Sequence, residues 1–122
     1  MEIKFLCVIG SRNYSAYGKR VCEHLIQGLA EYNICIVSGL ANGLDAWAHR
    51  VALDVGLPTV AFPGSGLCKE FLYPRANIKL GYEIVSKGGA LISQFENNFE
   101  ATKYSFPQRN RLMAGMCNAT LV

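Results

Sequence analysis

At 122 residues the chain has room for one hydrophobic core and is small for an α/β protein with a fully wound sheet. Just over half of it is apolar, yet no run approaches the roughly 18–20 continuous apolar residues of a membrane span, and no signal-peptide order opens the chain. It therefore reads as a single cytoplasmic domain over residues 1–122. The net charge of +3 is too small to argue for a nucleic-acid partner by itself, but its placement is informative. Acids and Lys/Arg balance over the first 100 residues, so the whole excess comes from Lys103, Arg109 and Arg111. The cysteines are odd in number, widely spaced and free of any C-x-x-C pair, which excludes a disulfide framework or a zinc site and reads as reduced core thiols.

The predicted elements alternate. Residues 3–9 are a β-favouring apolar run closed by Gly10-Ser11-Arg12, a buried strand and a tight turn. Ser15 suits the N-cap of a helix with the stripe Tyr17, Val21, Leu25, Leu29 and with Cys22 and Ile26 beside it. Residues 34–37 form a second strand ending in Ser38-Gly39. Gly43 precedes a second helix whose Leu44, Trp47, Ala48, Val51, Ala52 and Val55 match the i, i+3, i+4 template, with Gly56 at its C-cap. A third strand, 59–62, ends at Pro63-Gly64-Ser65-Gly66.

A loop with Tyr73-Pro74 leads to a third helix over 75–87, predicted to turn Ile78, Tyr82 and Val85 inward and to stop at Gly88-Gly89. Residues 90–93 form a fourth strand and 94–106 a long polar-aromatic loop, a length that is often functional. The stretch from Ser105 then opens a last helix. Pro107 fits its first turn, and Leu112, Met113 and Met116 give its apolar stripe. Arg109 and Arg111 fall in the opening turn, where an exposed cation opposes the helix dipole by roughly 0.3–1 kcal/mol, a cost that points to an anion. Residues 119–122 begin a fifth strand.

Strands alternating with helices imply a parallel α/β sheet with right-handed crossovers and helices on both faces, three layers in all. Such sheets bind ligands beyond the carboxyl ends of their strands. Here those ends are Gly10-Ser11-Arg12, Ser38-Gly39, Pro63-Gly64-Ser65-Gly66 and Ser93-Gln94, whose small residues let backbone N–H groups approach an oxyanion. No dinucleotide fingerprint follows Gly10, and Gly18-Lys19-Arg20 fails the Walker pattern. Ser65 lies in no nucleophile elbow, so no catalytic constellation emerges. Arg12 is either a solvated turn residue or a guanidinium reaching the crevice. Phe106 is either a staple on its helix or a platform on which a base stacks. Asp45 and His49, four apart, are either an acid/base pair or a dipole-favoured Asp beside a structural His.

Taken together, five ordered motifs closely resemble the DNA-processing protein A family (DprA, also called Smf). They are Val8-Ile9-Gly10-Ser11-Arg12; Ser38-Gly39-Leu40-Ala41-Asn42-Gly43-Leu44-Asp45 with Ala48-His49; Gly64-Ser65-Gly66-Leu67; Tyr73-Pro74 with Asn77; and Phe106-Pro107-Gln108-Arg109-Asn110-Arg111. The resemblance implies a Rossmann domain that binds and protects single-stranded DNA and helps load the RecA recombinase in natural transformation, with no metal and no cofactor. By position, Gly10, Ser11, Arg12, Lys103, Phe106 and Arg109 would line the DNA pocket, joined by Asn110 and Arg111. Ser38, Gly39, Gly64, Ser65 and Gly66 would flank it. The chain departs from the pattern at Cys68, where the family has Asp, and at Ser93-Gln94-Phe95-Glu96-Asn97. The family's sheet runs on past a fifth strand, through a segment used for homodimers, so a partial domain with an exposed apolar edge is expected here. A nucleotide phosphoribohydrolase on a related Rossmann core is the rival, but its loop carries an acid where this chain has Leu67 and Cys68.

Overall fold

The computed structural model describes residues 2–122. Its strands are β1 (Lys4–Val8), β2 (Ile34–Ser38), β3 (Thr59–Ala61), β4 (Ala90–Leu91) and β5 (Ala119–Leu121). All pair in parallel, in the order β4-β3-β2-β1-β5, with Cys7 opposite Val37 on one side of β1 and Thr120 on the other. The helices are α1 (Ala16–Gly28), α2 (Leu44–Val55), α3 (Ile78–Ser86), preceded by a 3-10 turn at Arg75–Asn77, and α4 (Ser105–Met116). Among the described residues no helix is long and apolar enough to cross a membrane.

Alternation along β1 and β2 divides the layers. Val8 and Ile36 pack with Cys22 and Ile26 of α1 and with Ala48, Val51 and Ala52 of α2. Cys7, Cys35 and Val37 point the other way, onto Met113 of α4. A third cluster seats Leu40 and Ala61 against Leu72, Leu80 and Ile84. The first three helices thus lie on one face and α4 on the other, as right-handed crossovers require when the chain steps outward from β1 to β4 and then returns to β5. All five cysteines are free.

Several local signals appear where the sequence places them. The Ser15 hydroxyl accepts the Gly18 N–H at 3.0 Å, and Gly56 closes α2 in the left-handed region with φ 80°. Gly89 has a steric reason as well, since a Cβ there would stand 2.1 Å from the Thr59 carbonyl oxygen.

The facing of three helices differs from expectation. On α1, Cys22 and Ile26 are buried while Tyr17, Val21 and Leu25 are exposed. A row at i, i+4 drifts about 40° per step around a helix, so a broad apolar face presents only part of itself to the sheet. On α3, Leu80, Gly81 and Ile84 face inward, and Tyr82 and Val85 are about half exposed. Both rows satisfy the helical template, and the one carrying Gly81 approaches Leu40 and Leu91 of the edge strand. On α4, Met113 is fully buried but Met116 is exposed. The fourth strand is shorter than expected because Ser93 leaves the ladder, its hydroxyl donating to the Ser65 carbonyl at 2.7 Å. The long loop also stops earlier, at Tyr104, since Ser105 and Phe106 already belong to α4.

Candidate functional site

The strand order reverses at β1, with β2 to β4 on one side and β5 on the other, and this switch point is where open α/β sheets leave a crevice. The crevice is walled by Arg12 from the β1 turn, Gly39 and Asn42 from the β2 turn, Tyr73 and Pro74, and Phe106 with Arg109 from α4. The β1 turn and the start of α2 meet closely. A Cβ on Gly10 would lie 2.3 Å from the Leu44 Cβ, and the Leu44 N–H donates to the Ser11 carbonyl at 3.1 Å. Gly43 allows this approach with φ 89°, where a side chain would strike the Ser11 carbonyl.

Phe106 is the centre of the site. Arg12 lies 5.5 Å and Arg109 5.6 Å from its ring centroid, and the Tyr73 ring is 5.5 Å away, tilted by 40°. Cations at these distances are drawn to the ring quadrupole. Arg12 is exposed, Phe106 half-buried and Arg109 only 4% exposed, so Arg12 alone of the two arginines presents its charge to solvent.

Beneath the rim is a polar floor. Asp45, in the first turn of α2, accepts the Gly10 N–H at 3.2 Å and the Gly39 N–H at 3.1 Å. Arg109 donates from Nη1 to the carbonyls of Gly39 and Phe62 at 2.7 and 2.9 Å, and from Nε to the Asn110 side chain at 2.8 Å. Gly39 is therefore gripped by its N–H from Asp45 and by its carbonyl from Arg109. Burial pushes the Asp45 carboxyl above its ordinary range, against the Gly10 N–H and the Arg109 charge, which pull it down. Burial likewise lowers Arg109, with Asp45 opposing. One layer further in, His49 bonds through Nδ1 to the Thr59 hydroxyl at 2.7 Å, and that hydroxyl donates to the Ile36 carbonyl at 2.8 Å. His49 Nε2 has no hydrogen-bond partner among the described residues, and burial holds this side chain down to about 3, neutral at physiological pH.

This geometry separates the residues expected in the pocket. Arg12, Ser11, Lys103 and Arg111 are exposed, and Gly10, Phe106 and Asn110 are partly so. Ser38, Gly64, Ser65, Gly66 and Arg109 are buried, Arg109 still lining the crevice, and each has polar groups engaged by protein partners. The Ser38 hydroxyl donates to the Val8 carbonyl, and the Ser65 hydroxyl accepts the Tyr73 N–H. Gly66 donates to the Phe99 carbonyl, and the Gly64 carbonyl accepts the Ser105 hydroxyl at 2.6 Å. A Cβ on Gly64 would lie 2.5 Å from the Phe106 ring, so this loop seats the aromatic. Backbone N–H groups of Gly10 and Gly39, expected to face an oxyanion, face Asp45 instead. Lys103 stands apart with its ammonium 5.2 Å from the Tyr104 ring. Sequence reasoning missed Tyr73 and Asn42 as lining residues. Asn77 was the available signal: its side-chain amide donates to the Leu40 carbonyl at 2.7 Å and reaches the Asn42 oxygen at 3.3 Å.

Among the described residues no three His, Cys, Asp or Glu side chains converge as a metal site would require. A parallel sheet reversing at β1, with helices on both faces, defines a Rossmann-like α/β domain. The family model of DNA recombination-mediator protein A matches residues 1–122, and the chain belongs to that family. It is 38% identical over 117 residues to Protein Smf of Escherichia coli (strain K12), covering 96% of this chain and 31% of that protein. It is 39% identical over 117 residues to DNA processing protein DprA of Streptococcus pneumoniae, covering 40% of the latter. The chain thus spans between about three tenths and two fifths of these relatives' length. The solved structure of Streptococcus pneumoniae DprA superposes with a TM-score of 0.84 at 38% identity, over 97% of this chain and 40% of that one. DNA processing protein A from Helicobacter pylori, whose structure describes a single-stranded DNA binding mode, superposes with 0.82 at 32% identity, over 96% and 52%.

Proposed function

We propose that this chain is a sequence-independent single-stranded DNA-binding unit acting in DNA processing during natural transformation and recombination, where it hands the strand to the RecA recombinase. The observation that carries this reading is Arg12, solvent-exposed and 5.5 Å from the centroid of a half-buried Phe106 at the switch point. A guanidinium holds a phosphate, and an adjacent aromatic face stacks a base without reading its identity. Tyr73 extends the stacking surface. The Gly10–Ser11 turn carries Arg12 to the rim, and Lys103, Asn110 and Arg111 stand as outer polar contacts. Arg109, Asp45 and the Gly64–Gly66 loop act from beneath as positioning residues. Homodimer formation is assigned to a segment outside this chain, as the share of the relatives it covers allows.

Fluorescence anisotropy with single-stranded and duplex oligonucleotides of matched length tests the proposal. Single strands are expected to bind more tightly, with the logarithm of affinity falling by about 0.7 per logarithm of salt for each phosphate contacted. Phe106→Ala is expected to lose about 1–3 kcal/mol for each base stacked. Equal affinity for the two forms, or indifference to salt, would defeat the reading. Counting RecA nucleation events on coated single strands, with and without the protein, tests the hand-over.

A further inference from the structure

Two open hollows adjoin the crevice, each sharing a lining residue with it. The first, about 320 Å³, shares Asn42 with it and lies between the starts of α2 and α3, lined by Tyr14, Trp47, Arg50 and Lys79. The second, about 440 Å³, shares Tyr73 with it and is lined by Glu70, Glu100 and Arg75. Both volumes are ample for ligand groups, whose clefts run roughly 300–1,000 Å³. Both present aromatic rings, Tyr14 (38% exposed) with Trp47 in the first and Tyr73 (39% exposed) with Phe71 in the second, so what separates them is charge.

In the first hollow the Arg50 Nη1 lies 2.9 Å from each carboxylate oxygen of Glu83, so that pair is neutral. Lys79 is exposed and has no ion-pair partner among the described residues. Tyr14 offers a ring that is 38% exposed, and Trp47 forms the floor with the Lys19 ammonium 4.1 Å from its centroid. Either route offers an aromatic face, but a strand leaving over Asn42 also meets an unpaired cation. A strand leaving over Tyr73 meets two carboxylates against one guanidinium. Like charges brought together at a contact surface select against that route. The wall between crevice and first hollow is also rigid, since Asn77 ties Asn42 to the Leu40 carbonyl.

We infer that the single strand runs from the Arg12–Phe106 crevice across Asn42 into the Tyr14–Lys79 hollow, which forms a second nucleotide subsite, and not toward Glu70 and Glu100. This rests on the proposed single-strand binding and adds a direction to it. Lys79 takes a phosphate and Tyr14 stacks the next base.

Trp47 is the chain's one tryptophan, so its emission reports this hollow alone. Oligothymidylates of increasing length are titrated into the intact chain while Trp47 emission and affinity are followed. A dinucleotide is expected to bind weakly and leave the emission unchanged, and longer oligomers to quench it. Lys79→Glu should weaken long oligomers by about fivefold, as expected for an exposed charge pair, with a loss that grows with length and a salt slope smaller by about 0.7. Tyr14→Ala should weaken the same oligomers without changing that slope. The double variant Glu70→Gln, Glu100→Gln should bind as the parent does. Quenching that is independent of length, affinity unchanged in Lys79→Glu, or an equal loss in the Glu70, Glu100 variant overturns the inference while leaving crevice binding intact. No binding of any oligomer, or binding that survives Arg12→Ala at every length, overturns the crevice reading beneath it. Stronger binding of oligouridylates than of oligothymidylates would turn the subsite to RNA and overturn it as stated.

Discussion

The rim and the floor of the crevice use the same residue types to opposite ends. Arg12 on the rim is exposed and holds its charge over the Phe106 ring, whereas Arg109 on the floor is 4% exposed and donates to the carbonyls of Gly39 and Phe62. An arginine in water is free to attract a polyanion. An arginine enclosed beside Asp45 must have every donor matched, since a buried charge without partners is costly. Proximity to a crevice therefore does not make a contact residue; solvation does. The floor sets the geometry that the rim offers.

The sharpest way to break this division is to remove the floor's carboxylate. Asp45→Ala leaves the Gly10 and Gly39 N–H groups unpaired and Arg109 without its nearest anion, and is expected to cost about 3–5 kcal/mol in a urea unfolding curve. Asp45→Asn keeps the shape and should cost less, so a loss equal to that of Ala would show that charge is what matters.

Acid probes the same interior. The imidazole of His49 titrates near 6.5 in the unfolded chain but only near 3 in the fold, so between these values the unfolded state binds more protons and stability falls as pH drops. Asp45, raised by burial, opposes this just above its ordinary 3.8. Thermal midpoints measured across that window should decline toward acid in the parent and flatten in His49→Gln.

A smaller perturbation separates seat from platform. Gly64→Ala places a Cβ 2.5 Å from Phe106 and should cost about 1–3 kcal/mol of overpacking while shifting the ring. Weaker oligonucleotide binding at a temperature where the variant is fully folded would tie ring position to affinity. The least effect on folding belongs to Arg12→Ala, expected within about 0.5 kcal/mol of the parent while binding is weakened. A large stability loss there would erase the distinction between rim and floor.

Much of this molecule is legible without coordinates. The β-favouring runs, the Ser15 cap, the glycines at 56 and 88–89 and the template of α2 are local signals, and they place the strands and helices to within a few residues. The ordered motifs likewise identify the crevice and its family, because spacing along the chain at strand ends survives translation into space. The inward faces of α1 and α3 were not legible. Tyr17, Val21 and Leu25 satisfy one helical row, and Cys22 and Ile26 another, and only the sheet chooses between them.

The same holds for the site. Sequence alone determined which residues gather at the carboxyl edge of the sheet, since strand–turn–helix order carries Arg12, Gly39, Gly64 and Phe106 there. Tertiary structure decided which of them meet solvent. Gly64 and Ser65 have their polar groups filled by Ser105 and Tyr73, and Arg109 by carbonyls from two other loops. Those partners lie 8 to 70 positions away in the chain. Burial is a property of what packs against a residue, and no pattern of near neighbours records it.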